Sequence, residues 1–78
     1  MSNQSQTFGQ KAVGLSFNPS GDDAVAKAKQ TIADAIDQMH EFRTNPETSD
    51  GAKRHASTAI TMLEDAQMRM VKALTWRD

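Results

Sequence analysis

The fold of this 78-residue chain is predicted by starting from residues 8–29, FGQKAVGLSFNPSGDDAVAKAK, which contain a helix-start sequence. Asn is a preferred helix N-cap, and Pro suits the first helical position because the N–H that it lacks would find no partner there. Asn18-Pro19 therefore predicts the start of a long helix. Ser20, with Asp23 three residues later, is a second possible start.

The segment before Asn18 is predicted to be an arm rather than a long helix. Residues 1–7 are rich in Ser, Asn and Gln and are expected to be flexible. A short helix over about Gln4–Lys11 fits the residues that follow, although the glycines in this region are poor helix formers. The apolar side chains of the arm are expected to pack on a neighbouring helix, with contact to a ligand as the alternative. These side chains are Val13, Leu15 and Phe17.

Two long helices are predicted after the arm, because apolar residues recur there at helical spacing. The first helix runs to about Arg43, and the second runs from about Asp50 to Thr75. A short loop between two long helices implies an antiparallel pair. The apolar stripe of the first helix consists of Val25, Ala28, Ile32, Ala35, Ile36, Met39 and Phe42. The seam of the second helix consists of Ala52, Ala56, Ala59, Leu63, Ala66, Met70 and Ala73.

A hairpin of this size is not expected to be stable as a single copy. Small scaffolds usually need a disulfide, a metal or a partner chain. The sequence has no Cys, and its two His lie on different segments, so association of copies is the stabilising feature that remains. The second helix also carries His55, Met62, Arg69 and Trp76 at intervals of seven residues. We interpret this seven-residue seam as a contact between copies; the alternative is a wide apolar stripe with scattered exposed residues.

Composition and charge argue against several classes of function. The formal net charge is -1, with both signs interspersed, which argues against binding to DNA. No run approaches the roughly 18 apolar residues of a membrane-spanning helix, and the first residues lack the apolar core of a signal peptide. No sequence motif of a catalytic nucleophile or metal site is present. We therefore expect one cytoplasmic, non-enzymatic domain over residues 1–78, without metal or cofactor.

Cationic and polar residues lie at the edges of the predicted apolar surfaces. Lys29 flanks the stripe of the first helix, and Thr31 lies on its other flank. Lys29 either holds a phosphate as a point charge or covers the stripe with its aliphatic stem. Arg69 either belongs to a positive ring about a symmetry axis or pairs with Asp65 one turn earlier. Trp76 either stacks on a base or is buried between copies.

Two blocks of the sequence resemble a known family. VGLSFNPSGDDAVAKAK (13–29) and HASTAITMLEDAQMRMVKALTWRD (55–78) are similar to the phage anti-CBASS sponges, which sequester cyclic oligonucleotides and share a hairpin domain with sponges directed against Thoeris immunity. The resemblance implies an all-α antiparallel two-helix hairpin with a short N-terminal helix, assembled as a compact homohexamer. It also implies that cyclic dinucleotides such as cGAMP, and cyclic trinucleotides, bind between protomers without being cleaved. CBASS effectors of the infected bacterial host would then stay inactive.

The resemblance also implies roles for single residues. Lys29 corresponds to the family lysine that contacts the cyclic dinucleotide, whereas Thr31 and Arg69 correspond to residues of a separate trinucleotide site. The family's base-stacking tyrosine has no counterpart in this Tyr-free chain. Its candidate replacements are Phe8, Leu15 and Phe17. The alternative function is an oligomeric helical-hairpin adaptor that binds protein partners only.

Overall fold

The computed structural model describes residues 5–18 and 21–78 of the chain. Three helices follow one another: α1 (Phe8–Ala12), α2 (Asp23–Thr44) and α3 (Asp50–Leu74). Neither of the two described ranges contains a strand. The predicted all-α hairpin with a short N-terminal helix is therefore confirmed.

The start of α2 differs from the prediction, because Asn18 does not cap the helix. The side-chain amide of Asn18 donates to the Asp22 carbonyl (3.1 Å), and the Asn18 carbonyl accepts from the Gly21 N–H (3.0 Å). Asp22 is the N-cap, and its carboxylate accepts a 2.8 Å bond from the N–H of Ala24. Gly21 has a φ of 64°, whereas an α-helix needs about -63°, so no helix could run from Asn18 through Gly21. The predicted roles of residues 19–20 lie outside the described residues.

The short helix α1 also starts later than the predicted Gln4–Lys11. The Thr7 side chain accepts from the Gln10 N–H, and the Thr7 N–H donates to the Gln10 side chain, both at 3.0 Å. These two bonds form a capping box that starts the helix at Phe8. Residues 1–4 lie outside the described residues, so the flexibility of residues 1–7 stays a prediction.

Helices α2 and α3 pack antiparallel, as predicted. At one end of the hairpin, Arg43 Nη1 donates to Ser57 Oγ (3.1 Å), and at the other end Asp22 and Trp76 line one surface depression. The core cluster of buried residues consists of Val13, Ile32, Ala33, Ile36 and Ile60. Ala33 was missing from the predicted stripe. It is fully buried because α1 packs directly against its backbone.

The folded chain is flat, with extents of 45 × 37 × 12 Å. Axes of packed helices lie about 8–10 Å apart, so a thickness of 12 Å leaves little room for a second helix layer. Most domains bury their apolar faces between two layers. Here several large apolar side chains stay exposed, including Phe17 (71%), Met62 (65%) and Trp76 (62%). These side chains are available for contact with another molecule.

Candidate ligand-binding sites

Helix α1 ends in a turn whose geometry depends on Gly14. The Leu15 N–H donates to the Gln10 carbonyl (3.0 Å) and the Gly14 N–H to the Lys11 carbonyl (3.1 Å), which are the two bonds of a Schellman C-cap. This cap needs a left-handed residue, and Gly14 supplies it with a φ of 61°. A further bond from the Phe17 N–H to the Gly14 carbonyl (2.9 Å) then turns the chain back on itself.

Residues 13–17 are called the arm turn below, and Lys29 holds this turn against α2. The Lys29 ammonium donates to the Gly14 carbonyl (3.0 Å) and to the Phe17 carbonyl, and the side chain is only 5% exposed. The same ammonium lies 5.6 Å from the centre of the Phe17 ring. An ammonium group has three N–H donors, so one donor remains for another partner. Within the described residues no carboxylate pairs with Lys29, so the chain there leaves this positive charge without a negative partner.

The three candidates for base stacking lie in different surroundings. Phe17 is 71% exposed and adjoins Lys29, whereas Leu15 is half-buried against the core. Phe8 stacks on the His40 ring, with centroids 4.1 Å apart and an interplanar angle of 8°. His40 lies eleven residues beyond Lys29, about 16 Å further along α2. Within one chain the structure therefore brings Phe17 to Lys29 and leaves Phe8 at a distance.

Thr31 and Arg69 lie at the same level of the hairpin, and both are exposed. Arg43 of α2 contacts Ser57 of α3. Because antiparallel helices share one rise per residue, moving twelve residues away from this contact on each helix reaches Thr31 and Arg69. The Thr31 hydroxyl donates to the Lys27 carbonyl (3.0 Å). The two residues of the predicted trinucleotide site are thus level with each other on the outer surface of the hairpin.

Arg69 has a second cation beside it, Lys72, which was not among the residues predicted for the site. Arg69 and Lys72 both line two shallow surface depressions, of about 300 and 450 Å³. Trp76 lines the first depression, with its ring centre 5.8 Å from the Lys72 ammonium, and Asp65 lines the second. The three-residue spacing of Arg69 and Lys72 places them on one helix face and could have revealed the pair. No ion pair joins Arg69 to Asp65 in the part of the chain that the structure describes.

The described residues lack two features, a cluster of metal ligands and a membrane-spanning helix. In residues 5–18 and 21–78, no group of three or more His, Cys, Asp or Glu side chains could hold a metal ion. None of the helices in these ranges combines the length and apolar character needed to cross a bilayer. The expectation that the protein works without a metal or cofactor stays a prediction.

Comparison with known proteins identifies the family. The model of the Acb2/Tad1 hairpin domain matches residues 10–75, a range that contains Lys29, Thr31 and Arg69. Comparisons with curated proteins and with solved structures each gave no significant match. The matching family is the one predicted from the two sequence blocks, so that prediction is confirmed. The chain belongs to the Acb2/Tad1 hairpin domain family.

Proposed function

We propose that the protein is a phage immune-evasion sponge that binds cyclic di- and trinucleotide second messengers between protomers and does not cleave them. By lowering the free messenger in the cytoplasm of an infected bacterium, it keeps CBASS effectors inactive. The family supports the class of protein. The observation that carries the proposal is the buried Lys29 ammonium, which donates to two carbonyl oxygens. Buried charges are ordinarily paired with an opposite charge, and a ligand phosphate supplies one.

The dinucleotide site is proposed to lie where two arm turns meet. A cyclic dinucleotide has two phosphates, so two protomers related by a two-fold axis would offer one Lys29 to each. The third N–H of each ammonium is the donor left for a phosphate oxygen. The exposed Phe17 ring beside it offers a flat apolar face to a base. Base–aromatic stacking contributes about 1–3 kcal/mol per base.

The trinucleotide site is proposed to include Thr31, Arg69 and the neighbouring Lys72. A guanidinium binds phosphate oxygens in pairs, which suits Arg69 for this role. Lys72 adds a second positive charge within the same two depressions. Three protomers about a three-fold axis would supply one such group to each phosphate of the ligand. This ligand would meet the protein on a different side of α2 from the dinucleotide.

The assembly is proposed to be a compact homohexamer. The flat shape of one chain and its exposed apolar side chains support association, because such surfaces are otherwise left in water. Two-fold and three-fold axes in one closed assembly would give both kinds of site. Native mass spectrometry of the full chain tests the copy number, and a stable monomer at micromolar concentration would contradict the proposal.

Recovery of the ligand distinguishes a sponge from an enzyme. The full chain is incubated with cGAMP, free ligand is removed by gel filtration, and the protein is then digested with a protease. We expect chromatography to return intact cGAMP in proportion to the protein. Recovery of a linear product would indicate a phosphodiesterase and contradict sequestration without chemistry.

The alternative function is an adaptor that oligomerises and binds protein partners only. The exposed side chains of His55, Met62 and Trp76 favour it, because such a surface on α3 also fits a protein partner. Isothermal titration calorimetry against a panel of cyclic di- and trinucleotides separates the two functions. Heat of binding with any of these ligands supports the sponge, whereas no heat with all of them supports the adaptor.

A further inference from the structure

The N-terminal arm is fastened to α2 at a second point, away from Lys29. The Gly9 N–H, in the first turn of α1, donates a 2.6 Å hydrogen bond to Asp37 Oδ1. Hydrogen bonds from a backbone N–H to a carboxylate are stronger than those between neutral groups. Asp37 lies eight residues after Lys29, about 12 Å further along α2. Both ends of the arm are therefore tied to α2, one through Asp37 and one through Lys29.

Gly9 lets α1 approach the backbone of α2 closely. A Cβ atom at Gly9 would lie 2.1 Å from the Ala33 carbonyl oxygen and 2.9 Å from Asp37 Oδ1. The first of these contacts is with backbone, which cannot move aside by rotation of a side chain. Any side chain at position 9 must therefore push α1 away from α2 and break the bond between Gly9 and Asp37. This position precedes residues 10–75, which match the family model.

Helix α1 links this contact to the arm turn. The capping box at Thr7 and the Schellman cap at Gly14 close the two ends of α1, and the second cap joins the helix to the arm turn. Val13, at its end, is 4% exposed in the core cluster. The arm turn follows α1 directly, so its carbonyl groups reach the Lys29 ammonium only while α1 stays in place.

We infer that Gly9 and Asp37 are positioning residues of the cyclic dinucleotide site, an inference that rests on the proposed function. Neither residue is placed to touch the ligand. They hold the arm so that the carbonyls of the arm turn orient the Lys29 ammonium, with the Phe17 ring beside it. Because the arm is ordered before the ligand arrives, binding does not have to supply the free energy of ordering it. Loss of either residue should therefore weaken the dinucleotide site and leave the trinucleotide site unchanged.

Two substitutions and their controls test this inference by calorimetry with the full chain. Gly9→Ala and Asp37→Ala should each weaken cGAMP binding roughly ten- to hundredfold, with cyclic tri-AMP binding unchanged. The reason is that ligand binding must then supply the free energy that the charge-assisted hydrogen bond between Gly9 and Asp37 contributed to holding the arm. Asp37→Asn keeps an oxygen acceptor and should be milder than Asp37→Ala. The matched control is Glu41→Ala, which removes an exposed carboxylate one turn later on α2. This control should bind both ligands as the wild type does.

Hydrogen exchange of the unliganded variants supplies a readout that needs no ligand. The amides of Gly14, Leu15 and Phe17 are hydrogen-bonded in the arm turn. A helix of five residues is not stable in water without packing, so these amides should exchange faster in Gly9→Ala, where α1 is pushed away from α2. The amides in the middle of α3 should keep the wild-type rate. Unchanged exchange in the arm turn would show that Gly9 does not set its position and would overturn the inference.

The outcomes separate failure of this inference from failure of the proposed function. A wild type that binds no cyclic nucleotide overturns the proposed function, and the inference with it. A wild type that binds cGAMP, with Gly9→Ala and Asp37→Ala binding it equally well, overturns the inference alone. Equal loss of both ligands in these variants would indicate a general structural role and would also overturn it. Selective loss of cGAMP, with faster exchange in the arm turn, supports it.

Discussion

Lys29 and Thr31 are separated by one residue on α2, yet Lys29 is 5% exposed beneath the arm and Thr31 is exposed on the other side of the helix. Each residue of an α-helix advances the side chain by about 100°, so these two point in nearly opposite directions. Ligands that use Lys29 and Thr31 must therefore approach the hairpin from different sides. This relationship makes the two proposed sites separable by substitution.

The first prediction concerns Lys29→Met, which keeps a straight aliphatic stem and removes the ammonium. We expect cGAMP binding to weaken at least about tenfold, because a hydrogen bond to a charged group contributes roughly 1.5–3 kcal/mol. Binding of cyclic tri-AMP should not change. Calorimetry with both ligands measures this, and Lys27→Met, at an exposed position on the same helix, is the control. Equal loss of both ligands in an intact assembly would contradict the two-site arrangement.

The second prediction concerns the proposed trinucleotide site. Arg69→Gln and Lys72→Gln should each weaken binding of cyclic tri-AMP, with the larger effect for Arg69 because a guanidinium can bind phosphate with two parallel bonds. Binding of cGAMP should be unaffected by either change. Both substitutions lower the net charge equally, so each controls for the charge effect of the other. If Lys72→Gln has no effect on tri-AMP binding, Lys72 is not part of the site.

A pair of glycine substitutions is predicted to change stability in opposite directions. Gly14→Ala should destabilise the protein by about 1–2 kcal/mol, because φ at this position is 61° and a Cβ is strained there. Gly51→Ala should stabilise it by roughly 0.5–1 kcal/mol, because Gly51 lies in α3 with nothing within 4 Å of an added Cβ. Urea unfolding followed by circular dichroism measures both. Two effects of the same sign would contradict this account.

Arg43 is predicted to stabilise the junction of all three helices. Its guanidinium donates to His40 Nδ1 (3.2 Å) and to Ser57 Oγ (3.1 Å), and it lies 5.2 Å from the centre of the Phe8 ring. We expect Arg43→Met to lower the free energy of unfolding by about 1–2 kcal/mol. Arg54→Met, at an exposed position on α3, should change it by less than about 0.5 kcal/mol. Equal effects of the two substitutions in urea unfolding would be inconsistent with this role.

Assembly is predicted to depend on the seven-residue seam of α3. Met62 is 65% exposed in the single chain, so Met62→Glu should leave the helical content unchanged. In an assembly that buries this seam, the same change would replace a buried apolar side chain with a charged one and lower the copy number. Light scattering after gel filtration measures the mass, with Gln38→Glu as a control of the same charge at an exposed position on α2. An unchanged mass for Met62→Glu would exclude this seam as a contact.

The helix ends were predictable where the residues that set them lie close together in the sequence. The predicted ends at about Arg43 and Thr75 fall one residue from the observed ends at Thr44 and Leu74, because periodicity and terminating residues act within a few positions. The start of α2 was wrong by several residues. Asn18 has the chemistry of a cap, but Gly21 has a φ of 64° that interrupts any helix begun there.

Contacts across the fold were not predictable in the same way. The spacing of residues predicts Lys29 at the edge of the apolar stripe and does not distinguish Phe8, Leu15 and Phe17 as stacking residues. The structure buries Lys29 and brings Phe17 to it, while Phe8 stacks on His40. Lys72 beside Arg69 could have been found from helical spacing, whereas the bond between Gly9 and Asp37 leaves no local pattern. Gly9 and Asp37 are 28 residues apart in the chain and come into contact only when α1 packs on α2.

The amino-acid order by itself determined the all-α class, the two long helices, their antiparallel pairing and the family, because each depends on short-range spacing or on contiguous motifs. Only the tertiary structure decided which side chains meet: the carbonyls of the arm turn at Lys29, and the Gly9 N–H at Asp37. Such contacts depend on how closely one helix approaches another. That distance is set by packing between residues that are far apart in the chain, so no local pattern records it.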